Sequence, residues 1–195
     1  SYHDVPAILL QRLQTRYREA GRVVHPPLSK LPELKLGHTP LQVGLLVDFI
    51  QPFIADLVVT LVHHHNPATV SLRIFSISPV DAAIGAALAE RGIPLTTLAT
   101  SDEQHVAESI RADNLDALVD IAGHGPYAKP GLLSCRPAPV QLTLPGLTYP
   151  AGFGEIDFRL TDAIADRSTD QQTDSAAPLL MEGCAFPLVP TQPSA

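Results

Sequence analysis

The 195 residues are 45% hydrophobic and 17% charged, which supplies the apolar material for one packed domain and excludes a disordered chain. A formal charge of -7 speaks against nucleic acid as a partner, because a phosphate backbone is held by clustered Lys and Arg. Apolar runs such as Val43 to Val47 and Leu57 to Val62 stop well short of the roughly 20 residues that cross a bilayer, so no membrane partner is expected.

The chain starts at Ser1 with neither a basic n-region nor a long apolar h-region, and reads as an excised or processed piece. Val5, Ile8, Leu9, Leu13 and Tyr17 recur at helical spacing, with Asp4 as N-cap and Gly21 as stop. This predicts one amphipathic helix from Val5 to Ala20 in an N-terminal unit of residues 1–24. Residues 25–40 hold Pro26, Pro27, Pro32 and Gly37, which no regular element tolerates together, and are assigned as a linker. From there to residue 162, short β-rich runs alternate with helical windows: strand Gln42 to Val47, helix Phe53 to His65, strand Thr69 to Ser78, helix Val80 to Arg91, strand Pro94 to Ala99. Ser101 and Gln104 stand at capping-box spacing before a helical window that ends near Asn114. Three further strands are expected over Leu115 to Ile121, Val140 to Leu144 and Ile156 to Thr161. Residues 163–195 are rich in Asp, Ser, Thr, Gln and Pro, with one apolar stretch from Pro178 to Met181, and are expected to form a loosely ordered connector.

Strands alternating with helices predict an α/β fold: a Rossmann-like, mainly parallel sheet covered on both faces. Val43, Leu45, Leu72, Ile74, Leu118, Val119 and Val140 are the expected core. Such sheets bind ligands at the carboxyl ends of their strands, so the informative segments follow Val47, Ile121 and Leu144. His124 stands in the second of these, flanked by Gly123 and Gly125, and is the candidate proton carrier; capping the strand end is its structural alternative. Asp48 closes the first strand and has two open roles, accepting from a ligand or from amides of the next helix. Arg136, ahead of Pro137 and Pro139, is expected to tie that turn to Asp120 or Asp157. His63, His64 and His65 point in different directions on a helix and are not expected to share a metal. Cys135 and Cys184 are isolated, so neither a disulfide framework nor a zinc site is indicated and a reducing cytoplasm fits.

The strings Asp120-Ile-Ala-Gly-His124-Gly, Arg136-Pro-Ala-Pro-Val-Gln141, Gly146, Gly152 and Ile156-Asp-Phe-Arg-Leu-Thr-Asp162 resemble the catalytic region of O-linked N-acetylglucosamine transferases of the SPINDLY type. The spacing holds without gaps from Asp120 to Asp162, and Val43-Gly-Leu-Leu-Val-Asp48-Phe49 is similar to the family's first strand. The resemblance covers roughly residues 40–190. It implies the N-terminal lobe of a GT-B glycosyltransferase over residues 41–162, with catalytic His124 and with Asp48, Lys129, Gly146, Thr148 and Gly152 at the substrate. It implies no cofactor and no metal, the donor UDP-N-acetylglucosamine being a substrate, and a protein Ser or Thr as acceptor. In the family the nucleotide is held mainly by a second, C-terminal lobe, so the implied partner is a UDP-sugar bound jointly with that lobe.

Three departures stand out. Pro52 occupies a place where the family has His, the glycine-rich loop is altered to Gly146-Leu-Thr-Tyr-Pro-Ala-Gly152, and Lys129 replaces an Arg, losing its bidentate fork. They motivate a rival expectation, a degenerate paralogue kept as a protein-binding domain. Another small-molecule enzyme on a Rossmann-like sheet is disfavoured, because no G-x-G-x-x-G opens the helix after the first strand.

Overall fold

The computed structural model describes residues 27–28, 32–34, 37–50, 52–98, 102–122, 129–144, 155–164 and 176–183, together with Arg12, Thr15, Arg16 and Glu19. The last four are helical, in the stretch expected to form the first helix. The described strands are β1 (Leu41–Val47), β2 (Val70–Ser76), β3 (Leu95–Thr97), β4 (Ala117–Asp120), β5 (Val140–Thr143), β6 (Phe158–Thr161) and β7 (Ala177–Leu180). Between them run α1 (Pro52–His64), α2 (Ala82–Glu90), α3 (Glu103–Ala112) and α4 (Pro130–Ser134).

All seven strands are parallel and stand in the order β3-β2-β1-β4-β5-β6-β7. The chain builds outward from β1 to β3, then returns to the other side of β1 with β4 and continues to β7. That reversal places a topological switch point between β1 and β4, whose pairing sets Leu46 beside Asp120.

The two faces of the sheet are covered by different helices, and the alternation along β1 shows why. Leu45 and Val47 belong to a buried cluster with Ile54, Leu57 and Val58 of α1 and Leu88 of α2. Leu46 belongs instead to a cluster with Val106 and Ile110 of α3 and Leu132 and Leu133 of α4. Successive side chains point to opposite faces, so a strand covered twice needs an unbroken apolar run. Of the expected core, Leu45, Leu72, Ile74, Leu118 and Val119 are buried, whereas Val43 and Val140, near the strands' amino ends, are half-buried.

Three expectations are corrected. The N-cap of α3 is Asp102, whose Oδ1 accepts from the amides of Gln104 and His105 at 3.1 Å each, and not Ser101, which lies outside the described residues. The one-residue shift lets a carboxylate face the helix's free amides, which favours it at that position. A short helix, α4, fills part of the segment between β4 and β5 where none was assigned. The stretch expected to be a loose connector contains β7, which pairs with β6 from Ala177 to Leu180. Its four residues are all exposed, so pairing with the edge of β6, not burial, defines this strand.

The expected linker contributes to the domain. Leu28 is buried among the α3 and α4 cluster, and its amide donates to the carbonyl of Cys135 at 3.0 Å. His38 contacts Oδ2 of Asp116 through Nε2 at 2.9 Å, and the same oxygen accepts from the Gln42 amide at 2.7 Å. These contacts fasten the approach to β1 at the amino edge of the sheet.

Candidate functional site

Buried polar residues gather where the strands end. Asp48 follows β1, Ser76 and Ser78 close β2, Asp120 closes β4, Thr143 closes β5, and Thr161 and Asp162 close β6, and every one is buried. A polar residue inside a twice-covered sheet costs desolvation unless it is bonded, so each needs a partner or a purpose. Three aspartates share one device. Asp48 Oδ1 accepts from the Ile50 amide at 3.2 Å, Asp120 Oδ1 from Ala122 at 3.1 Å, and Asp162 Oδ1 from Ile164 at 2.8 Å. Each carboxylate turns the backbone out of its strand by satisfying the amide two residues on.

At the end of β2 a serine pair does similar work. Ser76 Oγ donates to the Ser78 carbonyl at 2.7 Å, and Ser78 Oγ accepts from the Phe49 amide at 2.8 Å, which locks the segment after β1 to that after β2. Phe49 is therefore fixed and buried with the α1 and α2 cluster, a core residue and not an open platform. Ile50, next in sequence, is 49% exposed, so the chain passes from core to surface within this turn.

Among the described polar atoms, Asp48 Oδ2 and Thr161 Oγ1 are buried at this edge without a hydrogen-bond partner. Sequence reasoning singled out Asp48 but not the wider row of Ser76, Ser78, Thr143, Thr161 and Asp162. Its signal was present, since each is a polar residue ending a β-rich run.

Lys129 is half-buried at the N-cap position of α4 and makes no side-chain cap. Pro52 is the first residue of α1, a place where its missing amide proton is harmless. His124, Gly146, Thr148 and Gly152 lie outside the described residues, as does Cys184, so of the substrate residues implied by the sequence only Asp48 and Lys129 are described.

Arg136 acts at the opposite edge. Its NH2 donates to Asp157 Oδ1 at 2.7 Å and Oδ2 at 2.9 Å and to the Pro139 carbonyl at 3.0 Å, while NH1 donates to the Glu155 carbonyl at 3.0 Å. Asp157 Oδ2 also accepts from the Gln141 amide at 2.8 Å, and Gln141 Nε2 donates to the carbonyls of Leu133 and Glu155. The string from Arg136 to Gln141 is thus a structural clamp between the amino ends of β5 and β6. Of the two carboxylates expected for Arg136, Asp157 is the partner.

Among the described residues, neither Cys135 nor the histidine run forms a reactive centre. Burial pushes the Cys135 thiol up, Glu103 adds to the rise, and Arg111 opposes it, so the thiolate is disfavoured. Burial likewise lowers the Arg111 guanidinium, whose NH2 donates to the Arg136 carbonyl at 2.9 Å. The histidines have separate surroundings: His63 Nδ1 meets the Arg91 guanidinium, His64 is exposed, and His65 Nδ1 donates to the Val62 carbonyl at 2.9 Å.

No protein-family model matches the chain. It is 28% identical over 154 residues to a protein of Arabidopsis thaliana named a probable UDP-N-acetylglucosamine--peptide N-acetylglucosaminyltransferase SPINDLY, a match covering 76% of this chain and 17% of that protein. A protein of the same name from Solanum lycopersicum is 28% identical over 169 residues, covering 83% and 18% of the two chains. One from Hordeum vulgare reaches 42% over 71 residues, 36% of this chain and 8% of that one. Among solved structures, an O-GlcNAc transferase of Thermobaculum terrenum superposes with a TM-score of 0.81 over 94% of this chain and 36% of its own, at 17% identity. The superposition shows a shared α/β, GT-B-like fold. This chain spans less than a fifth of the length of the curated relatives it matches.

Proposed function

We propose that this chain, similar in sequence to SPINDLY-type O-linked N-acetylglucosamine transferases, is the acceptor-side lobe of such an enzyme, working with a nucleotide-binding lobe outside these 195 residues. The reaction is transfer of N-acetylglucosamine from its UDP donor to a protein Ser or Thr in the cytoplasm. Sequence similarity to the named transferases over 83% of the chain carries this reading. The switch point between β1 and β4 supports it, since open α/β sheets bind ligands there.

In this reading His124, just beyond β4 in sequence, orients or deprotonates the acceptor hydroxyl, a task for a group that titrates near neutrality. Lys129, at the start of α4, supplies positive charge to the substrate, and Gly146, Thr148 and Gly152 let backbone approach it closely. No helix among the described residues is long and apolar enough to cross a membrane.

Pro52 favours a second reading. It places no titratable group at the start of α1, where the sequence resemblance implied a histidine, as in a lobe retained for protein binding. Calorimetry separates a half-site from a complete one. The isolated chain is expected to give no heat of binding with UDP-N-acetylglucosamine up to millimolar concentration, because the groups that hold the diphosphate lie elsewhere. Micromolar affinity would overturn the assignment of this chain to one lobe.

A further inference from the structure

We infer that Asp48 is a substrate contact in which Oδ1 holds the turn and Oδ2 accepts a hydrogen bond from an aliphatic hydroxyl, of the sugar or of the acceptor side chain. This rests on the transferase reading above.

The inference comes from comparing three aspartates in equivalent places. Asp48, Asp120 and Asp162 each spend one oxygen on the amide two residues on. Asp120 and Asp162 engage in further polar interactions, whereas Asp48 Oδ2 has no partner. Asp48 is 0% exposed, so its free oxygen has lost water without gaining a protein donor. Such a group carries a desolvation cost that the turn does not explain, because one oxygen suffices for the Ile50 amide.

Its position supplies the purpose. Asp48 stands at the carboxyl end of β1, beside the switch point, where Leu46 pairs with Asp120. The Phe49 amide bonded to Ser78 holds the backbone still, and Ile50 reaches the surface immediately beyond. The backbone that carries this buried oxygen is therefore held in place at the turn. A carboxylate oxygen accepts and does not donate, so its ligand must bring the proton. Diphosphate oxygens bring none and repel a carboxylate. A divalent cation needs several oxygen ligands, and no group of three His, Cys, Asp or Glu suited to a metal occurs among the described residues. An aliphatic hydroxyl fits, and both substrates of the proposed reaction carry one.

The test uses the full chain labelled with nitrogen-15, with the Phe49 and Ile50 amides as reporters. Two probes distinguish the sources: free N-acetylglucosamine, and an uncharged peptide containing one serine. One of them at millimolar concentration is expected to shift both amides. Asp48→Asn is expected to weaken that response about tenfold, the order lost with a hydrogen bond to a charged group, while the unfolding midpoint stays at or above that of the parent chain. Silence of both amides with both probes would overturn the inference, as would an undiminished response in Asp48→Asn. If Asp48→Asn fails to fold, Asp48→Ser, which keeps an acceptor for the Ile50 amide, takes its place. Failure of both variants to fold makes Asp48 structural and overturns the inference too. An intact hydroxyl response with no transfer by a two-lobe enzyme would sink the parent reading alone.

Discussion

Gly44→Val is expected to destabilise the domain by about 3 kcal/mol, the upper end of the usual cost of overpacking a core. Gly44 lies in β1, between β2 and β4, on the face covered by α3 and α4. A Cβ built there meets Leu115 Cδ1 at 2.6 Å, Phe75 Cε2 at 3.0 Å and Leu118 Cδ1 at 3.1 Å. All three neighbours are buried, so the displaced atoms have little open space to enter. The requirement is steric: glycine serves here by its lack of a side chain. Gly44→Ala should cost less, about 1 to 2 kcal/mol, because its single methyl group asks mainly for a leucine shift. Urea unfolding measures both, and the midpoint should fall with little change in slope. A Val variant within about 0.5 kcal/mol of the parent would contradict the close approach of these side chains to β1.

Arg136→Ala should cost about 3 kcal/mol, since removing one partner of a largely buried ion pair leaves the other charge uncompensated. The Arg136 side chain is 17% exposed and that of Asp157 29%. Without the guanidinium, Asp157 keeps the Gln141 amide, and the carbonyls of Pro139 and Glu155 each lose a donor. Arg136 also adopts a φ of 54°, a left-handed conformation uncommon for residues with side chains, so its bonds hold an otherwise disfavoured turn. Arg136→Lys should recover less than half of the loss, because one ammonium cannot reproduce a fork that serves a carboxylate and two carbonyls. A double-mutant cycle with Asp157→Ala checks the pairing, and coupling below about 0.5 kcal/mol would contradict it.

The Arg136 clamp also shows how far local sequence reaches. Residue chemistry narrowed its partner to Asp120 or Asp157, and the strand register decided between them. Asp120 ends β4 at the carboxyl edge, whereas Arg136 precedes β5 and Asp157 precedes β6 at the amino edge. That distinction is tertiary. Strands β1, β2, β4 and β5 were legible because twice-covered strands are apolar runs, though β2 and β4 stop short of the expected ends, where Ser76 and Asp120 begin the turns. Helix α4 was not legible, because five residues opening on Pro-Gly display no periodicity. Strand β7 was hidden for a different reason: its four residues are exposed, and only the edge of β6 defines them.

At the site, Asp48 was visible as the first polar residue after an apolar strand. The different fates of its two oxygens depend on the fold and had no sequence signal. The motifs carrying the resemblance divide between the two edges: Asp48 and Asp120 mark the carboxyl edge, while the Arg136 to Gln141 string builds the amino-edge clamp. A strong motif match is therefore partly a match of scaffold.

The most direct measurement is transfer of labelled N-acetylglucosamine from its UDP donor to a serine peptide by this chain joined to the nucleotide-binding lobe of a SPINDLY relative. The acceptor-lobe account predicts product above that of either part alone, and a drop of about 100-fold in turnover for His124→Ala, at the low end of what one positioned acid or base contributes. No product from a folded joined protein, or full turnover in His124→Ala, would contradict it.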